Sequence, residues 1–153
     1  MDGSVSIDVA ASPETVYALV SDITRYGEWS PENLGGVWLD GATGPAVGAR
    51  FKAKNKRKMS WSTTSTVRIA DPGKQFSFGT GRGPDTIWTY TLEPADGGTR
   101  VTESYETPRE PGAIGRFLTK VGTGVAWADR GADLEAAMRT TLERLKATAE
   151  ASA

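Results

Sequence analysis

Apolar and polar positions alternate through much of the first hundred residues, and the places where that period breaks divide the chain into elements. Val5, Ile7 and Val9 alternate with Ser4, Ser6 and Asp8, the period-two pattern of a half-buried strand over 4–10. The period then changes. Val16, Leu19, Val20 and Ile23 recur at three- and four-residue steps, which predicts a short helix with one apolar face. Ser12 suits its N-cap, Pro13 its first helical position, and an aromatic-proline stop, Trp29 to Pro31, ends the segment. Residues 34–39 read as a second strand, and the run 41–49, dense in Gly and Pro, reads as a loop.

Period two returns at Arg50. Phe51, Ala53 and Asn55 fall on one side of a strand over 50–55, with Arg50, Lys52 and Lys54 on the other. A return strand over 59–70 places Trp61, Thr63, Ser65, Val67 and Ile69 on one face, and Asp71-Pro72-Gly73 ends it with turn residues. A short strand over 75–79 carries Phe76 and Phe78. The next, over 86–93, carries Trp88, Tyr90 and Leu92 and leads through Ala95-Asp96-Gly97-Gly98 into a strand over 99–107 with Val101, Glu103 and Tyr105 on one face. Beyond it, Ile114, Phe117, Leu118 and Val121 have helical spacing, weakened by Gly112, Gly115, Gly122 and Gly124. From about Ala126 the helical pattern firms, with Leu134, Met138, Leu142 and Leu145 on one stripe.

The order of strand, short helices, about six strands and a long terminal helix predicts an α+β architecture. A curved antiparallel sheet of about seven strands wraps its apolar face around the last helix, and two short helices after the first strand close one end. At 153 residues the chain suits one domain over 1–153.

Several segments, in this order, carry a family resemblance. The strand 5–9 followed by SPETVYALVSD, Tyr26 and EWSP, then Val47-Gly48-Ala49-Arg50-Phe51 and Gly98-Thr99-Arg100-Val101-Thr102-Glu103, resembles the SRPBCC superfamily, also called START-like or Bet v 1-like. Within it the chain is most similar to polyketide cyclase/dehydrase and lipid-transport proteins. The resemblance covers nearly the whole chain and implies a helix-grip fold around a cavity for a hydrophobic or aromatic small molecule, such as a lipid or polyketide-like compound, with no cofactor. It also leaves open a cyclase or dehydratase working by acid-base catalysis.

Composition narrows the chemistry. Eighteen basic and nineteen acidic residues give a net charge of −1, without the electrostatic footprint of a nucleic-acid binder. The local run Lys52, Lys54, Lys56, Arg57 and Lys58 reads as a solvated hairpin, or as a contact for an anionic ligand or a regulatory protein partner. Cysteine and histidine are both absent, which excludes thiolate nucleophiles, serine-histidine hydrolysis, histidine base catalysis and nearly all zinc sites. The N-terminus reads as a strand rather than a leader, and no apolar run approaches the ~20 residues of a membrane span, so a cytoplasmic location is expected.

The expected ligand-binding face gathers Phe51, Asn55, Trp61, Thr63, Ser65, Phe78 and Trp88, with Trp29 as a plug at one end and Phe117 and Met138 from the helices. Any one aromatic reads as ordinary core. Together they form a face more polar than a sealed core needs, because buried Tyr and Trp tips seek partners. Glu103 is the sharpest catalytic candidate. Strand alternation turns it inward, where an unpaired acid has a raised pKa and can serve as general acid or base, with Tyr90 or Tyr105 donating to a developing oxyanion. A bulge turning Glu103 outward, or an arginine partner, would make it structural. The loop 79–85 lacks the GK[ST] ending of a phosphate loop and reads as a hairpin tip. The glycine-flanked segment 112–124 reads as a lid with Arg109, Arg116 and Lys120 as rim cations.

Overall fold

A computed structural model describes residues 1–83 and 85–152; the Pro84 position of the 79–85 tip lies outside them. Seven strands form one antiparallel sheet: β1 (Asp2–Val9), β2 (Asn33–Trp38), β3 (Arg50–Lys56), β4 (Ser60–Asp71), β5 (Gln75–Thr80), β6 (Thr86–Ala95) and β7 (Gly98–Glu106). Their order, β1-β7-β6-β5-β4-β3-β2, makes β2 to β7 a continuous meander with β1 returned alongside β7. The chain crosses from one sheet edge to the other through α1 (Pro13–Val20) and a 3₁₀ turn, Ile23–Glu28. After β7 come α2 (Ala113–Thr123) and α3 (Trp127–Ala151). This is the α+β helix-grip architecture expected from the pattern.

Local chemistry accounts for most boundaries. The Ser12 hydroxyl accepts the Thr15 N–H at 3.2 Å, satisfying one of the free donors at the start of α1. Ile23 opens the 3₁₀ turn instead of extending α1, because the Asp22 carboxylate caps the Thr24 N–H at 3.2 Å; the side chain is still buried. The tight β6–β7 connection pairs Ala95 with Gly98 and holds Gly97 at φ 73°, a conformation that favours glycine.

The strand β3 alternates strictly between exposed and buried residues, with Phe51, Ala53 and Asn55 inward. In β4 the alternation breaks. A register shift between Val67 and Ile69 turns Ile69 outward and Ala70 toward the core, so Ile69 does not share the Val67 face as alternation alone predicts. Such a bulge also bends the strand, as does the shift between Asn33 and Gly36 in β2, and both help the sheet curve around α3. The helix α3, about 37 Å long at 1.5 Å per residue, buries Leu134, Met138, Leu142, Leu145 and Ala149 along one stripe.

The segment 112–124 forms a regular helix despite its glycines. They sit mainly at its ends, where Gly112 is the N-cap and Gly124, at φ 82°, closes the C-terminus with its N–H on the Lys120 carbonyl. No side chain of α2 is buried. Among the described residues no helix is long and apolar enough to cross a membrane.

Candidate functional site

Because β3 to β7 each send alternate residues to the concave face, and α3 spans that face without filling it, a pocket of about 210 Å³ remains between them. Phe51 and Asn55 of β3, Trp61, Thr63 and Ser65 of β4, Phe78 of β5, Trp88 and Tyr90 of β6, and Glu103 of β7 all border it. Trp29 closes one side, its ring buried beside Tyr26 at 6.4 Å, and Met138 contributes from α3. The aromatic wall is tightly coupled: Phe51 and Phe78 meet edge to face with centroids 5.1 Å apart. Most wall hydroxyls are already engaged. Asn55 donates to Thr63 at 3.2 Å, Ser65 and Thr80 share a bond at 3.1 Å, and Thr141 donates to the Ala137 carbonyl at 2.9 Å.

Glu103 is the exception. Both ladders of β7 run without a shift through it, with Val5 of β1 on one side and Tyr90 of β6 on the other, so no bulge turns it outward. Its residue is 5% exposed and has no arginine partner among the described residues. The Tyr90 hydroxyl donates to its Oε1 at 3.1 Å, whereas Oε2 is buried without a protein partner among the described residues. Burial pushes the carboxyl up to about 8, and the Tyr90 hydrogen bond only partly opposes that shift. At neutral pH the group is therefore mostly a carboxylic acid, able to donate from its free oxygen. Burial, with Glu103 close by, also holds the Tyr26 and Tyr90 hydroxyls well above the usual tyrosine range. Tyr26 spends its proton on the Val20 carbonyl. Tyr90 spends its own on Glu103, so the donor available to a guest is the acid rather than the phenol.

Two expected site residues lie elsewhere. Tyr105 shares the inward face of β7 but does not border this pocket. Its ring backs Trp88 at 5.7 Å, and its hydroxyl is buried beside Gly131 of α3, where an added methyl would sit 3.4 Å away. That hydroxyl also lacks a protein partner among the described residues, and it is not placed to stabilise an oxyanion in the pocket. Phe117 of α2 is 65% exposed and does not border the pocket, because helical spacing sets which residues share a face and leaves open whether anything covers it.

The pattern reading missed the charged group at the pocket's rim. Arg130 lies one turn before Leu134 on the buried stripe of α3 and donates to Glu32 at 2.8 Å and to Asp133. Arg57 donates to Asp133 at 2.8 Å and lies 3.8 Å from Glu32, so it belongs to this cluster and not to the solvated basic hairpin. Burial works to raise the Asp133 carboxyl, but the hydrogen bonds from Arg57 and Arg130 outweigh it and hold the group below its ordinary value. The position of Arg130 four residues before Leu134 was the available signal; Asp133 is three residues on in the same helix, but Glu32 and Arg57 come from segments the sequence does not connect to it. Lys52, Lys54 and Lys56 remain exposed, and Arg116 pairs with Glu110 at 2.9 Å. Among the described residues no cluster of carboxylates has the arrangement of a metal site.

Residues 2–150 match the family described as polyketide cyclase / dehydrase and lipid transport. Among solved structures, the Polyketide_cyc-like protein Cgl2372 from Corynebacterium glutamicum is 34% identical, over 97% of this chain and 85% of its own, at a TM-score of 0.52. The KanY protein superposes at 0.70 with 21% identity, over 98% of this chain and 97% of its own. The di-domain ARO/CYC StfQ from the steffimycin biosynthetic pathway superposes at 0.75 with 18% identity, over 99% of this chain and 51% of its own. The last two likenesses speak for the fold alone. No curated protein matches the chain significantly.

Proposed function

The chain belongs to the polyketide cyclase/dehydrase and lipid-transport family, and on that premise we propose that it holds a hydrophobic or aromatic small molecule, lipid- or polyketide-like, between the sheet and α3. One observation carries the reading. A buried acid with a free oxygen faces an aromatic-walled pocket, an arrangement costly to a folded core unless a guest or solvent uses it. The guest this chemistry favours is largely apolar with one oxygen that accepts the Glu103 proton.

The tryptophans provide the test. Trp29, Trp61 and Trp88 border the pocket and Trp38 does not. Titration with 4-methylacetophenone, followed by ¹H–¹⁵N NMR, is expected to shift the three pocket indole N–H signals saturably and leave that of Trp38 in place. No saturable shift, or equal shifts of all indoles, overturns the reading.

The same observation favours a second reading, cyclase or dehydratase chemistry. A neutral Glu103 can give its proton to a carbonyl oxygen as a bond forms or breaks beside it, with its conjugate base taking a proton back. Glu103→Gln keeps a donor but cannot release a proton. It therefore spares binding under both readings and abolishes turnover only under the second.

A further inference from the structure

We infer that the pocket's guest is elongated: a ring bearing an oxygen lies inside beside Glu103, and an apolar tail leaves between Trp61 and Trp88 into a cleft roofed by α2. This rests on the binding reading above and adds the shape and direction of the guest.

A second space of about 480 Å³ lies between α2 and the β3–β4 hairpin, walled by Met59, Leu118, Val121 and Trp127. It shares Trp61, Thr86, Trp88, Arg130 and Leu134 with the inner pocket. Three separate elements place those shared residues in the same order relative to the inner ones. Along β4, Trp61 is shared and Thr63 and Ser65 are inner; along β6, Thr86 and Trp88 are shared and Tyr90 is inner. Along α3, Arg130 and Leu134 are shared and Met138 and Thr141 are inner. A two-residue strand step covers about 7 Å and a helical turn about 5.4 Å. The two spaces are therefore successive along one axis, and Glu103, hydrogen-bonded to Tyr90, stands on the inner side of the shared ring of residues.

Size and polarity decide what occupies each space. A cavity of roughly 150 Å³ accommodates benzene, so the inner 210 Å³ suits one substituted ring and little more. Anything longer must pass the shared residues. Among the described residues no carboxylate side chain lines the outer cleft, and the charged side chain that does, Arg130, is committed to Glu32 and Asp133. Leu118 is 61% exposed and Val121 38% exposed, so an apolar tail beneath α2 removes surface from water that folding leaves wet. The main chain already ties α2 to the hairpin, since the Met59 N–H donates to the Gly122 carbonyl at 2.9 Å.

The test uses 4-alkylacetophenones with tails from methyl to hexyl, titrated into the full chain by NMR. Affinity is expected to rise about fourfold per methylene once the tail passes the tryptophans. The Trp127 indole signal is expected to stay in place with the methyl compound and shift with the hexyl one. Leu118→Asp and Val121→Asp, made separately on a helix that buries no side chain, are expected to flatten the chain-length dependence while leaving 4-methylacetophenone affinity unchanged. If the methyl compound binds but affinity is independent of tail length, or both variants keep the full slope, the elongated-guest inference is wrong and the inner pocket stands. If the methyl compound does not bind, both readings fall.

Discussion

Replacing Glu103 with Gln removes one titratable proton from the interior and leaves a neutral side chain of the same length. The buried carboxyl titrates at about 8, against 4.5 when solvated. The folded state therefore binds the proton more tightly than the unfolded state does. Stability is full below about pH 4.5, falls as pH rises, and reaches its floor once pH passes 8. At 1.36 kcal/mol per pH unit, that interval sets an upper limit of about 5 kcal/mol, of which about 3 kcal/mol is already lost at pH 7. Against a typical total of about 5–15 kcal/mol the effect is large. Urea unfolding followed by tryptophan fluorescence at pH 5, 7 and 9 measures it. The native chain is expected to weaken steadily across that window, and Glu103→Gln to stay flat, so that the variant is the more stable protein at pH 9. Other shifted groups act outside the window. The Glu28, Asp133 and Glu150 carboxyls lie below their ordinary values, so their contribution is lost only in more acidic solution, and Tyr26 and Tyr90 titrate above it. Parallel stability curves for the two proteins between pH 5 and 9 would refute the reasoning, because they would mean that Glu103 is solvated or paired.

Further outcomes follow from the same geometry. Arg130→Ala strips Glu32 and Asp133 of a shared partner and is expected to cost about 1–3 kcal/mol at pH 7, with a smaller loss in solution acidic enough to protonate Asp133, below its ordinary range; thermal melts showing an equal loss there and at pH 7 contradict it. Tyr105→Phe removes a buried hydroxyl that has no protein partner, so stability is expected to hold or rise by up to about 1 kcal/mol, with 4-methylacetophenone affinity unchanged. A tenfold weaker affinity would return Tyr105 to the site. Amide exchange is expected to be orders of magnitude faster through Ala113–Thr123 than through the stretch of α3 holding Leu134, Met138 and Leu142, because α2 buries nothing. Matched protection would remove the idea that α2 moves as a lid.

Strand alternation made the concave face legible. With one sheet face buried, a one-residue slip would expose Phe51, Ala53 and Asn55 together, so the period fixes their direction. The same logic turned Glu103 and Tyr90 inward on adjacent strands, and the register that makes them partners came only with the structure. It failed at Ile69, where a bulge adds a residue that no local pattern announces. It also failed at Tyr105, since one face of a curved sheet is not one site, and two residues beyond Glu103 the face has passed beneath the start of α3. Helical spacing identified α2 but not its exposure, because coverage depends on what a helix packs against and not on its own sequence. The Glu32, Arg57, Arg130 and Asp133 cluster was least legible of all. It assembles charges from the start of β2, the β3–β4 turn and α3, and each alone resembles an ordinary surface charge.

The central claim is that a neutral, buried Glu103 presents its proton to a guest in the pocket, and carboxyl ¹³C NMR tests it most directly. With glutamate labelled at the side-chain carboxyl and the signal assigned by its loss in Glu103→Gln, the Glu103 resonance is expected to titrate near 8. Saturating 4-methylacetophenone is expected to move that midpoint higher, because the ketone oxygen stabilises the protonated form. A Glu103 signal that titrates near 4.5 and ignores the ketone would contradict the account.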